Sequence, residues 1–141
     1  MIKKTFSFIF IFLLFSISSI IFKINNNLEQ FNSLFFYTIW FISNILISLS
    51  IFKIIKDFDI NNDYLFILII NYLFGLLTSL FFTYYNNLNI SVVCSCVYFI
   101  SAIFLFKETK KIDKVSSYIL IPYLLWNTYF TFSLINIFLI N

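Results

Sequence analysis

From Ser116 to Asn141 the chain carries no charged side chain. An apolar run of this length can cross the hydrocarbon core of a bilayer as a helix, which takes about 20 residues. Yet polar and aromatic side chains recur along it, namely Tyr123, Trp126, Asn127, Thr128, Thr131, Ser133 and Asn136. A helix surrounded only by lipid has little use for such groups. The run therefore predicts a membrane-spanning helix with one face turned toward protein or a ligand.

Four more apolar runs precede this one, separated by short charged or amide-rich segments. The composition is 62% hydrophobic and 11% charged, whereas a water-soluble domain is charged at about a quarter of its positions. We therefore expect an all-α membrane protein, a five-transmembrane-helix bundle that forms a single domain over residues 1–141. The predicted spans are residues 5–22, 34–55, 64–83, 90–106 and 116–140. In the third span, Asn71 and Gly75 lie four residues apart on one face, and Gly75, the only glycine, is expected at a close helix crossing.

The first run also fits a second interpretation. Lys3 and Lys4 followed by an apolar stretch are typical of a secretory signal peptide. The segment after the stretch, SISSIIFK, offers a poor cleavage site, and the apolar run is longer than a usual signal core. We expect a retained helix.

The lysines are distributed unevenly between the two predicted sides of the membrane. One side carries Lys3, Lys4, Lys53, Lys56, Lys107, Lys110, Lys111 and Lys114, and the other carries only Lys23. By the positive-inside rule, this predicts a cytoplasmic N-terminus and a C-terminus outside. The lysines near the last connection could attract anionic membrane lipid, but cytoplasmic loops carry such lysines in any case.

The inventory of reactive side chains disfavours catalysis. Histidine is absent and no acidic residue lies within an apolar run, so a proton relay, a zinc site and a Ser-His-Asp triad are untenable. Cys94 and Cys96 point about 200° apart on a helix, which suits neither a shared metal nor a disulfide. We expect no enzyme activity, no metal, no required cofactor and no nucleic-acid partner.

The spacing in the last run groups its polar residues. At about 100° per residue, one helical face carries Tyr123, Asn127, Phe130, Thr131 and Leu134, with Trp126 on its flank. Pro122 is expected within about the first turn of this helix, where a missing N–H costs least. Two interpretations are open: these side chains hold helices together inside a bundle, or they line a ligand site.

The segment PYLLWNTYFTFSLINIFLIN, which begins at Pro122, resembles the last helix of the TspO/MBR translocator family, the tryptophan-rich sensory proteins. Pro122, Tyr123, Leu124 and Trp126 match its Pro-Tyr-Leu-x-Trp motif without gaps. The resemblance implies a five-helix bundle that holds a flat hydrophobic molecule, such as a porphyrin or other tetrapyrrole, or a sterol-like lipid. The ligand-binding residues it implies are Trp40, Tyr123, Trp126, Asn127, Phe130 and Thr131.

Three features of the chain depart from the family pattern. The first connection, residues 23–33, is short and lacks the Trp and Pro of the family's longer loop. Phe130 stands where the family usually has a small residue, so its ring could fill much of the cavity. Trp40 falls near the Trp of a family motif, but its neighbours match poorly, and a tryptophan near a span's end is also a common interfacial anchor.

Two function classes follow. The first is a binding protein for a hydrophobic small molecule, in which Tyr123, Trp126 and Tyr129 stack on the ligand while Asn127 and Thr131 bond its polar edges. With no histidine to ligate haem iron, we expect contacts with a metal-free porphyrin. The second is a small membrane subunit that acts by helix–helix interaction or homodimerisation, without a ligand.

Overall fold

The computed structural model describes residues 2–25 and 34–141, and the side chains of residues 7–22 and 34–141. Over these ranges the chain forms five helices: α1 Ile2–Asn25, α2 Leu34–Asp57, α3 Asn62–Thr83, α4 Leu88–Ile112 and α5 Lys114–Ile140. Four of them, α2 to α5, are long and apolar enough to cross a membrane, and α1 contains a shorter apolar segment, Ser7–Phe22. The all-helical, membrane-embedded prediction is confirmed. Residues 26–33 of the predicted first connection lie outside the described residues.

The helices begin where short polar side chains cap them. The Asn61 Oδ1 atom accepts a hydrogen bond from the Tyr64 amide at 2.8 Å at the start of α3, and Asn87 caps α4 through the Ile90 amide at 3.2 Å. Asn86, just before that cap, has a φ of 47°, a conformation that asparagine tolerates better than most residues. These caps satisfy amides that have no partner within the helix.

Asp113 both separates α4 from α5 and caps α5. Its carboxylate accepts hydrogen bonds from the Ser116 amide at 2.9 Å and the Ser116 hydroxyl at 2.6 Å, and it forms an ion pair with Lys53 of α2. Lys53 first, and then the Ser116 hydroxyl, hold the pKa of the Asp113 carboxyl well below its usual range. Ser50 adds a hydrogen bond to the Ser116 carbonyl at 2.9 Å. This end of α2 is thereby fastened to the α4–α5 turn.

One sequence expectation about α5 is wrong. We expected Pro122 within about the first turn of the last helix, but α5 begins at Lys114 and Pro122 lies about two turns inside it. The Asp113 cap starts the helix two residues before the predicted start at Ser116, and Pro122 lies beyond the first turn from either start. Pro122 is exposed on the outer surface, and it leaves the Tyr118 carbonyl without its usual helical donor.

The main helix contacts form a closed ring. α1 packs against α2 and α3, α2 against α5, α5 against α4, and α4 against α3. Gly75, the only glycine, lies where α3 and α4 meet: a Cβ atom there would stand 3.0 Å from the Tyr98 ring. The expected close helix crossing at Gly75 is confirmed.

Candidate functional site

The six predicted ligand-binding residues come from α2 and α5 and are all buried inside the ring of helices. Their exposed fractions are 0–3%, for Trp40, Tyr123, Trp126, Asn127, Phe130 and Thr131. The prediction that α5 turns this face inward is therefore confirmed. The structure divides the six between two regions of the interior, one made of aromatic rings and one made of polar side chains.

The aromatic region lies at the end of the bundle where α2 and α4 begin and where α1, α3 and α5 end. We call it the aromatic cluster, and it comprises Phe22, Phe36, Trp40, Phe82, Trp126 and Phe130. The ring centroids of Trp40 lie 5.6 Å from those of Trp126 and 5.1 Å from those of Phe130. Such pairs stabilise by about 0.5–1.5 kcal/mol each beyond burial. All five helices supply a ring or an apolar neighbour, so protein side chains fill this part of the interior.

Phe130 and Phe22 close the centre of the aromatic cluster. Their rings meet edge to face at 5.5 Å, and Phe22 stacks on Phe82 of α3 at 5.1 Å. Phe130 also stacks nearly parallel to Trp126, with centroids 6.3 Å apart. The Phe130 ring thus occupies the position where a smaller side chain would leave space.

The polar region lies near the middle of α3, α4 and α5. We call it the polar cluster, and it comprises Asn71, Tyr98, Ser101, Tyr123 and Asn127. The Tyr123 hydroxyl donates to the Asn71 Oδ1 atom at 2.6 Å and lies 2.9 Å from the Tyr98 hydroxyl. The Asn71 amide nitrogen donates to the Tyr98 carbonyl at 3.1 Å and to the Ser101 hydroxyl at 3.0 Å. These bonds connect three helices.

The remaining two polar candidates are also engaged within the chain. The Asn127 amide nitrogen donates to the Tyr123 carbonyl at 3.1 Å, and the Thr131 hydroxyl donates to the Ser95 carbonyl of α4 at 3.1 Å. The Asn127 Oδ1 atom is buried near the two tyrosine hydroxyls and has no hydrogen-bond partner in the part of the chain that the structure describes. The Thr131 bond joins α5 to α4, and bonds between helices of this kind hold membrane helices together. This polar face is thus unavailable to a partner span.

A groove opens from the aromatic cluster to the outer surface between α2 and α5. This lateral groove has a volume of about 400 Å³ and is lined by Phe35, Phe36, Ile39, Pro122, Leu125, Trp126 and Tyr129. Trp126 belongs to the aromatic cluster and also lines the lateral groove. Its buried Nε1–H group has no hydrogen-bond partner among the described residues. A donor in that state favours an acceptor brought by another molecule.

Sequence reasoning missed part of both regions. Phe22 and Phe36 were not singled out, because 22 phenylalanines in the chain make any one of them uninformative. Asn71 was noticed for its place one turn before Gly75, but its bonds to α4 and α5 were not foreseen. Nothing in the sequence around Tyr98 indicated that it would take part in the polar cluster. Cys94 and Cys96 are free, as their spacing predicted.

Comparison with known proteins gives two matches. The profile of the TspO/MBR family matches residues 24–139. A relative described as the uncharacterized membrane protein YtaB of Bacillus subtilis (strain 168) is 39% identical over 97 residues, which cover 67% of this chain. The aligned part covers 62% of that relative, so the chain spans less than two thirds of its length.

Proposed function

Because this chain belongs to the TspO/MBR family, we propose that it binds a flat hydrophobic molecule within the membrane, for sensing or transport. The ligand class is a metal-free porphyrin or other tetrapyrrole, or a sterol-like lipid. The protein is a multi-pass integral membrane protein. The proposal includes α1 as a membrane span, which brings the number of spans to five. It also places the N-terminus in the cytoplasm and the C-terminus outside, in keeping with the lysine distribution.

The observation that carries the proposal is the position of Trp126. On one side Trp126 packs against the aromatic cluster, and on the other it borders the lateral groove, which is open to the acyl chains of the bilayer. The volume of about 400 Å³ lies within the range of ligand pockets, about 300–1,000 Å³. A hydrophobic molecule can therefore approach Trp126 from the membrane without crossing water.

Three groove residues have distinct roles in this proposal. Phe36 and Tyr129 offer neighbouring rings beside Trp126, with centroids 4.8 Å and 5.8 Å from the Trp126 ring and 6.5 Å from each other. The Trp126 Nε1–H group is buried, so it donates to the part of the ligand that inserts between the helices, at a carbonyl, carboxylate or hydroxyl oxygen. Apolar stacking supplies the affinity, and this single hydrogen bond orients the ligand.

Trp40 and Phe130 act behind the groove. They fill the deep part of the aromatic cluster, so a ligand that reached Asn127 or Thr131 would have to displace their rings. The proposed ligand therefore lies at the groove, against Trp126, and inserts only partly between the helices. The chain needs no catalytic residue and no resident cofactor for this function.

The test is a titration of the detergent-purified protein with protoporphyrin IX, followed by tryptophan fluorescence. We expect saturable quenching, with affinity retained in Trp40→Phe and reduced about tenfold in Trp126→Phe, since the latter loses the donor and part of the stacking surface. Leu125→Trp, which narrows the groove, should also weaken binding.

Phe132→Trp provides the matched control, because Phe132 is exposed on α5 outside the groove. Unsaturable quenching, or equal affinities for Trp126→Phe and the wild type, would refute the groove as the site. In that case a subunit role remains, and crosslinking in the membrane would identify a homodimer or another partner.

A further inference from the structure

A second groove lies on the opposite side of the ring from the lateral groove, between α3 and α4. It has a volume of about 430 Å³, and we call it the α3–α4 groove. Its walls are apolar along most of their length, with Phe66 and Ile70 on α3 and Ile100 and Phe104 on α4. All but Ile70 are about half exposed or more, so the groove faces the acyl chains. The TspO/MBR ligand proposal does not involve it.

One end of the α3–α4 groove is charged. Asp63, in the first turn of α3, and Glu108, near the end of α4, line it there. Glu108 forms an ion pair with Lys111 at 2.5 Å, whereas Asp63 is exposed and has no ion pair with the side chains that the structure describes. The Lys107 ammonium lies 5.5 Å from the centre of the Phe104 ring, which is a groove wall. Both signs of charge therefore meet at this end.

The α3–α4 groove has a charged end followed by an apolar length, as a phospholipid has a charged headgroup followed by acyl chains. Asp63 and Ile70 are separated by about 10 Å along α3, from the charged end to the apolar wall. The charged end lies on the lysine-rich side of the bundle, where α3 begins and α4 ends, beside the short turn that follows Asp57 and carries Asp59. Charged side chains here lie at the level of lipid headgroups, and the apolar walls extend toward the middle of the bilayer.

We propose that the α3–α4 groove binds a zwitterionic phospholipid with a primary ammonium headgroup, such as phosphatidylethanolamine. The ammonium donates hydrogen bonds to the Asp63 carboxylate, the phosphate lies near the Lys107 and Lys111 ammonium groups, and one acyl chain fills the apolar length. A choline headgroup has no N–H to donate to Asp63. A glycerol headgroup has no positive charge to pair with the Asp63 carboxylate.

The first test compares dioleoyl phosphatidylethanolamine, phosphatidylcholine and phosphatidylglycerol as additives in thermal unfolding of the detergent-purified chain. We expect phosphatidylethanolamine to raise the apparent melting temperature at about threefold lower concentration than the other two lipids. Asp63→Asn should remove this preference. Asp59→Asn is the matched control, because Asp59 is exposed in the neighbouring turn and does not line the groove, and it should keep the preference.

A second pair of variants tests the apolar wall. Ile100→Trp fills the α3–α4 groove and should abolish the stabilisation by phosphatidylethanolamine, whereas Ile69→Trp, at a similarly exposed position outside the groove, should not. Three results would overturn the proposal: an equal response to the three lipids, equal behaviour of Asp63→Asn and Asp59→Asn, or a change of oligomeric state in Ile100→Trp alone. The last would mean that a second copy of the chain occupies the groove. None of these results bears on protoporphyrin binding.

Discussion

The aromatic cluster and the polar cluster occupy neighbouring levels of the same helix bundle, but they hold it together in different ways. Ring packing in the aromatic cluster has no strict direction, so Trp126 can contact Phe36, Trp40 and Phe130 at once and still border a groove. The polar cluster depends on directed bonds, such as the one between Tyr123 and Asn71. The first region can therefore pack rings in several orientations, whereas the second fixes how α3, α4 and α5 are arranged.

This contrast explains how a face with both rings and amides can serve two purposes. In α5, Tyr123 points its hydroxyl at α3 and α4, while Trp126 turns its ring toward α2. The two residues are less than one turn apart in sequence. Of the polar candidates for ligand contact, Tyr123 and Thr131 therefore connect α5 to its neighbours. Of the aromatic candidates, Trp126 borders the lateral groove, whereas Trp40 and Phe130 pack behind it.

The largest expected effect comes from Phe130→Ala, which removes a ring from the middle of the aromatic cluster. We expect it to lower the free energy of unfolding by about 3 kcal/mol, because the neighbouring rings cannot fully close the space. The same space should then admit small aromatic molecules, so that indole raises the apparent melting temperature of the variant more than that of the wild type.

Phe132→Ala is the control for this prediction, since Phe132 is 60% exposed and its ring meets only Phe99 among the described aromatic pairs, at 6.5 Å. It should lower the stability by well under 1 kcal/mol. A Phe130→Ala variant as stable as the wild type, with no response to indole, would mean that the aromatic cluster collapses on itself and offers no room to a ligand.

A smaller loss is expected from Asn71→Leu in the polar cluster. The substitution removes the Asn71 acceptor of the Tyr123 hydroxyl, which keeps the Tyr98 hydroxyl 2.9 Å away, and removes the Asn71 donor to the Ser101 hydroxyl. Hydrogen bonds between membrane helices contribute about 0.6–1.7 kcal/mol, so we expect a loss of about 1–2 kcal/mol in reversible unfolding, without any gain of indole binding.

The double variant Asn71→Leu with Tyr123→Phe sharpens this result. If the two residues stabilise the bundle through their mutual bond, their combined effect should be smaller than the sum of the single effects, by up to about 1 kcal/mol. Strict additivity would contradict the direct coupling of α3 and α5 that the 2.6 Å contact indicates.

The smallest effect is expected at Asp113, beyond the polar cluster on the lysine-rich side. The pKa of its carboxyl is lowered in the folded protein, so its contribution to stability is present above the usual carboxyl pKa of about 4 and is lost as the pH falls below it. Thermal unfolding between pH 6 and pH 3 should show this loss in the wild type and a weaker pH dependence in Asp113→Asn. An identical pH profile for Asp57→Asn and Asp113→Asn would refute the role of the Lys53 ion pair.

Most of the fold could be predicted from the sequence. The apolar runs predicted all five helices, although the structure extends them: the last begins at Lys114 where Ser116 was expected, and the fourth runs from Leu88 to Ile112. Charged residues continue a helix past the hydrocarbon core, and hydropathy alone does not detect this. The inward face of α5 was also correctly predicted, because helical periodicity groups Tyr123, Asn127 and Thr131 whatever they contact.

The sequence by itself determined that this is a helical membrane protein, which face of α5 is turned inward, and where its lysines lie. Only the tertiary structure decided which rings meet Trp126 and that the hydroxyl of Tyr123 bonds to Asn71 and Tyr98. The physical reason is that lipid is as apolar as the interior of the bundle, so a phenylalanine such as Phe36 suits either environment equally. Its place, and the partner of each buried polar group, are fixed only when the five helices pack.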